Sequence, residues 1–321
     1  MSASLPGNAR RRSLTVGRFE PVSFFCTGLT GLATILILAI LGVILGNVLL
    51  QGLTGLSPRF VFGSADKDMF DVAKAGVFPM VFGTAARVIL MTIFVIPVGV
   101  TTAIYLTEYA HSTSPVTRII RGAVSNLAGV PSIVFGLFGL GFFVSALGGN
   151  LDALIYPGSA KPVWGKPALI WASLTLAVMT LPVVIVATEE SLKAIPTGLR
   201  EASLALGATK LQTVVKIVLP QALPGILTGG ILAVSRAAGE VAPILFTGAA
   251  YYMATLPHAL SDQFMDLAYH VFVLSTQSPD IEKTRPILYG TVVVLLVLTF
   301  ALNVVAILLR ARVRRKMRLM H

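Results

Sequence analysis

Residues 188–225 read TEESLKAIPTGLREASLALGATKLQTVVKIVLPQALPG, a polar interlude between two apolar stretches. Thirty-odd residues exceed what a linker needs, and they carry a helical pattern. Leu199, Ala202 and Leu206, then Leu211, Val214, Val215 and Val218, recur at three-to-four spacing on either side of Gly207. The pattern predicts two short amphipathic helices joined at that glycine. Gly207 can take the positive φ that helix C-termini commonly require, and Pro220 and Pro224 punctuate the return to the apolar chain. The small residues Ala202, Ser203, Ala205 and Ala208 leave room for another protein to approach the backbone. An amphipathic pair lying on a bilayer is the alternative, but Glu189, Glu190 and Glu201 would face anionic lipid badly.

The flanking chain fixes the setting. Of 321 residues, 55% are hydrophobic and 12% charged, with a mean hydropathy of +0.84, far from the composition of soluble domains. A helix needs roughly 20 apolar residues to cross a hydrocarbon core of about 30 Å. Charge-free gaps of that order run from Pro21 to Pro58, Val88 to Thr107, Gly122 to Leu151, Pro167 to Thr188 and Pro286 to Leu309, and a sixth apolar stretch starts near Leu223. The expected architecture is all-α, with six transmembrane helices near 22–50, 80–106, 122–147, 167–188, 223–249 and 286–309.

Lysine and arginine set the orientation, because cytoplasmic segments retain them. With both termini inside, the inside segments hold 16 basic and five acidic residues, whereas the outside loops hold seven basic and eight acidic. The net charge of +11 is thereby placed at the cytoplasmic face. The pI of 10.1 is then a topology signal and an attraction to anionic headgroups, not a mark of nucleic-acid binding. RVRRKMR at 312–318 reads as a stop-transfer anchor. Arg10, Arg11 and Arg12 precede an apolar run too long for a signal-peptide core, so that run is expected to be a retained anchor. The lone cysteine, Cys26, cannot form an intrachain disulfide, and no Cys/His cluster points to a metal. No cofactor is expected.

Two outside segments are not simple spans. Residues 51–80 read as an external loop with one interfacial turn. Within 251–285, HVFVLSTQ at 270–277 is too brief to cross, leaving an interfacial or re-entrant piece, or the vestibule of a substrate path.

A family resemblance enters through the 188–225 stretch. Glu201, Ala202 and Ser203, three residues, Gly207, nine residues, Ile217, one residue, Leu219 and Pro220 follow the pattern E-A-A-x3-G-x9-I-x-L-P, with serine for the second alanine. The pattern resembles the signature loop of type I ABC importer permeases. There the loop forms coupling helices that dock on a separate ATP-hydrolysing subunit, which implies that Glu201, Ala202, Gly207, Leu219 and Pro220 belong to the energy-transmission joint. NLAGVPSIVFGLFGLG at 126–141, the run 203–250 and YHVFVLSTQSPD at 269–280 resemble the phosphate importer permeases of the PstA type, with the PstC-type sister subunit sharing parts of the pattern. The likeness covers roughly 77–310. It implies a basic tail at 1–21, a first helix and external loop at 22–76, a permease domain at 77–310 containing the coupling loop 189–222, and a basic tail at 311–321. It further implies a multi-pass bacterial inner-membrane protein. The implied partners are a PstC-type permease, an ATP-binding subunit dimer, an external phosphate-binding protein and inorganic phosphate, all within a lipid bilayer. The chain itself is expected to be no enzyme, and it contains no G-x-x-x-x-G-K-[ST] phosphate cradle.

Inside the fifth apolar stretch, LAVSRAAGE at 232–240 places Arg236 and Glu240. Each lone charge near a bilayer centre costs about 2.5–3.5 kcal/mol on insertion scales, and at i and i+4 the two can meet. One reading is an ion pair that locks packing. The other is a guanidinium fork presented to a phosphate oxyanion, with Glu240 holding the fork or accepting a proton. Arg236 reads as the one cation deep in a span, while Arg87, at the outer end of helix two, reads as a snorkelling side chain with a possible role at the mouth of the path. An ion-coupled secondary transporter could also bury such a pair, but would not need the coupling loop.

Overall fold

The computed structural model describes residues 21–65, 70–71, 74–111, 113–159 and 161–318. The basic tail expected at 1–21 lies outside the described residues apart from Pro21, as do the last three residues of the C-terminal tail. The chain divides at Val48 into two units.

The first unit contains most of α1 (Pro21–Gly55). Proline is absent from its interior, and Thr27, Thr30 and Thr34 turn their hydroxyls back onto the carbonyls of Ser23, Cys26 and Thr30. Polar side chains are thus satisfied inside the helix, as an apolar solvent demands. Val22, Phe24, Leu32, Ile37 and Val43 are exposed on all sides. A helix apolar all round must be covered by lipid or by another protein.

The second unit is built around α7 (Leu169–Lys193). The preceding elements are α2 (Pro58–Phe62), α3 (Phe78–Ile104, extended by a π turn, Tyr105–Tyr109), α4 (Pro115–Leu127), α5 (Ser132–Gly139) and α6 (Gly149–Ile155), the last two joined by a π stretch, Leu140–Gly148. After α7 come α8 (Thr197–Ala205), α9 (Lys210–Thr213), a π turn (Val214–Val218), α10 (Leu219–Ala238), α11 (Ala242–Thr247), α12 (Leu267–Gln277) and α13 (Ile281–Arg318). Among the described residues six helical segments are long and apolar enough to cross a membrane, and no strand occurs beyond an isolated bridge between Ala249 and Phe264.

Helix α7 is buried on most faces, from Leu169 and Trp171 through Val184 to Leu192. Its buried Ser173, Thr175 and Thr180 donate to the carbonyls four residues earlier. Close approach depends on absent side chains: a Cβ on Gly229 of α10 would stand 2.7 Å from the Cβ of Ala187. Val88, Met91 and Val95 of α3, Leu176 and Val184 of α7, and Ala233 and Ala237 of α10 share one apolar core.

Three expectations change. The third span begins at Ser132 and not near 122, because α4 stops at Leu127 and Pro131, at the cap of the next helix, biases Val130 away from the helical region. The fifth span runs from Lys210 to Ala238 as one helical stretch, with Pro220 in its first α turn and Pro224 inside it; it stops at Gly239 and does not continue to 249. The segment 251–285 contains α12, whose Leu267, Val273 and Leu274 are buried with Met80 and Ile287, so one face of the piece expected to be interfacial or re-entrant packs into the core while Phe272 and Ser275–Gln277 stay exposed. In the 51–80 loop, Ser57 caps α2 and Phe60 enters the same core.

Candidate translocation and coupling sites

Arg236 occupies the last turn of α10, and Glu240 follows the break at Gly239. Its position suits a cation, since the C-terminal end of a helix carries partial negative charge. Arg236 Nε stands 3.5 Å from Glu240 Oε1, with the two side chains 45% and 21% exposed. That is an ion pair without a close hydrogen bond, and it leaves most of the guanidinium fork open. On the same face of α10, one turn earlier, Leu232 lines a cavity of about 490 Å³ that also meets Arg121, Ser125, Pro182, Val186 and Glu190.

The second arginine behaves oppositely. Arg87 of α3 has no exposed surface, and neither does its partner Asp266. Arg87 Nε and Nη2 reach Asp266 Oδ2 at 3.0 and 2.8 Å. Nη1 donates to the carbonyl of Ala237 at 2.8 Å, and Nη2 to that of Ala238 at 3.3 Å. The Thr84 hydroxyl donates to Asp266 Oδ2, while Asp266 Oδ1 accepts the N–H groups of Ala268 and Tyr269 and so caps α12. Gly83 makes room for this meeting, as a Cβ there would collide with the carbonyl oxygen of Met265. Arg87 therefore does not snorkel, and Arg236 is not the one cation deep in the chain. The sequence placed Asp266 in an external loop; its signal was an aspartate directly before the apolar run Leu267–Tyr269, the position of a helix cap. The pairing itself, across 179 positions, had no local signal.

The 188–225 loop forms a helical hairpin. Helix α8 ends at Ala205, Gly207 takes φ +84°, and Thr209 opens α9 with a capping box shared with Gln212. Ser203 and Thr213 join their hydroxyls at 2.9 Å across the turn. Arg200 ties the hairpin to the bundle: it meets Glu108 Oε1 at 2.8 Å and donates to the carbonyls of Leu192 and Ile195. Beside it, Glu189 accepts from both Arg121 and Lys193, so Glu189 faces neither lipid nor a partner. Glu201, Ala202 and Gly207 are exposed on the hairpin, and Leu206 is 89% exposed. Leu219 and Pro220 do not lie beside them: both follow the π turn at the start of α10 and are half-buried.

Residues 95–319 match the family described as binding-protein-dependent transport system inner membrane component. The chain is 31% identical over 304 residues to the probable ABC transporter permease protein YqgI of Bacillus subtilis (strain 168), covering 91% of this chain and 96% of that protein. It is 38% identical over 170 residues to the phosphate transport system permease protein PstA 1 of Mycobacterium tuberculosis (strain CDC 1551 / Oshkosh), a match spanning 53% of this chain and 50% of the relative. A solved bacterial ABC transporter involved in the import of the acidic polysaccharide alginate superposes with a TM-score of 0.61 at 14% identity, covering 91% of this chain and 99% of that one. That last likeness concerns the fold alone. With six apolar spans, the helical hairpin and a family match over most of its length, the chain belongs to the binding-protein-dependent transport system inner membrane components, the permease subunits of ABC importers.

Proposed function

We propose that this chain is the PstA-type permease of an ATP-driven phosphate importer, with Arg236 as the anion contact in its path. The contrast between the two arginines carries the reading. Arg87 directs its donors to a carboxylate and two carbonyls, whereas Arg236 is half-exposed and loosely paired. A phosphate passing through a low-dielectric channel needs a cation whose donors are free to fork onto two oxygens. Glu240 holds that fork and repels an anion that would otherwise bind too tightly to leave. The cavity below Leu232 continues the path along the same face of α10. The 38% identity to PstA 1 supports phosphate as the cargo.

In this reading the path forms between this chain and a PstC-type permease, and an external phosphate-binding protein loads it. One of two ATP-hydrolysing subunits holds the hairpin around Glu201, Ala202 and Gly207 on the cytoplasmic side. Closure of those subunits pulls on Arg200 and hence on Glu108 at the end of α3 and on the end of α7, switching which side of the path is open. Leu219 and Pro220 transmit the movement into α10.

The test is uptake of labelled phosphate in cells lacking the chain, restored by its gene, with sulfate and molybdate as competitors. Uptake should be restored and resist both competitors, and the chain should co-purify with an ATPase and a second permease. Competition by sulfate or molybdate at equal concentration would reassign the cargo. Transport by the chain alone without ATP would remove the importer reading.

A further inference from the structure

We infer that Arg87 is a positioning residue for the Arg236–Glu240 pair, acting through the carbonyl groups of Ala237 and Ala238; this rests on the reading of that pair as the anion contact. The two alanines lie between Arg236 and Glu240 in sequence, and both are fully buried. If α10 continued, their carbonyls would accept the N–H groups of Val241 and Ala242. The carbonyl of Ala237 accepts the N–H of Glu240 at 3.3 Å, in a turn tighter than an α-helix, and also accepts from Arg87 at 2.8 Å, while the carbonyl of Ala238 accepts from Arg87 at 3.3 Å. A buried carbonyl left without a donor is costly, so the guanidinium supplies Ala238 in place of the missing helical turn and adds a second donor at Ala237. Pro243 adds to the break, since it has no N–H to offer the carbonyl of Gly239.

Arg87 can hold this position because it is itself held. Asp266 fixes the guanidinium, Thr84 and the start of α12 fix Asp266, and all of these groups are buried or nearly so. The consequence reaches the exposed pair. In an uninterrupted helix, charges at i and i+4 close onto each other. With the chain unwound after Ala238, Glu240 stands 3.5 Å from Arg236 without a close hydrogen bond, and the Arg236 fork stays available. A lysine at 87 has three donors but all on one nitrogen, and so does not reproduce the spread of Nε, Nη1 and Nη2 over the carboxylate and the two carbonyls.

The experiment uses the assembled importer in liposomes, in a Cys26→Ser background carrying Val241→Cys just past the break or Leu206→Cys on the hairpin. A small thiol reagent reports on each position. Arg87→Lys is expected to change the labelling rate at 241 by about tenfold while leaving that at 206 unchanged, and, in the Cys26→Ser background without a reporter, to raise KM for phosphate by about tenfold to a hundredfold. Asp266→Asn should shift both quantities in the same direction. Unchanged labelling at 241 overturns the inference, as does altered labelling with unaltered KM. Failure of both variants to assemble would make the pair a folding requirement and overturn it too. Phosphate uptake surviving Arg236→Gln would instead defeat the anion-contact reading and with it the positioning role, while altered labelling at 241 would still identify the clamp.

Discussion

Arg87 and Asp266, 179 positions apart, meet at 2.8 Å with neither side chain exposed, and their ion pair joins α3, α10 and the start of α12. A buried pair of this kind contributes little net attraction after desolvation, but removing one member strands the other.

Arg87→Met should therefore lower stability by about 3–5 kcal/mol, and Asp266→Leu should do the same with the added loss of the α12 cap. The double variant should lose clearly less than the two single losses added. Thermal unfolding of the purified complex in detergent measures all three; strictly additive losses would contradict a direct pair.

His270 lies in α12, outside the six spans, and burial pushes its pKa down from 6.5 to about 4. In the unfolded chain the imidazole takes up a proton near 6.5, whereas the folded chain keeps it neutral down to about 4. Acidification through that window therefore favours the unfolded state, by about 3 kcal/mol at its lower end. His270→Gln should lose less stability than the parent between pH 7 and pH 5. Equal losses in thermal unfolding would contradict the neutral, buried histidine.

Gly207 sits at φ +84° with open space around it, so Gly207→Val strains the turn by about 1–2 kcal/mol without any clash. The fold should survive and the hairpin should shift. Phosphate uptake is expected to fall at least about tenfold while the ATPase of the assembled complex persists, the sign of an uncoupled joint. Uptake and ATPase falling together would place the defect in assembly instead.

Much of this architecture was legible because it is written locally. Charge-free gaps mark the spans, since a charge in hydrocarbon is costly, and the positive φ at Gly207 follows from a periodicity that halts at a glycine. Pro131 was legible too, and reading the apolar run 122–147 as unbroken overlooked the backbone restriction it places on Val130. What the sequence hid was pairing. Arg87 looked like an outer-end snorkeller because nothing near it is acidic; its partner arrives from α12, brought by the close approach at Gly83. The two arginines in spans look alike as letters, and only their partners separate the saturated one from the open one.

The central claim is that Arg236 contacts the transported anion, and ATP-driven phosphate uptake by the reconstituted importer carrying Arg236→Gln tests it most directly. Uptake should fall to background while the complex assembles and its basal ATPase remains, and Glu240→Gln should weaken uptake without abolishing it. Parent-level uptake by Arg236→Gln, or loss of the assembled complex, would contradict the claim and return Arg236 to a role in packing.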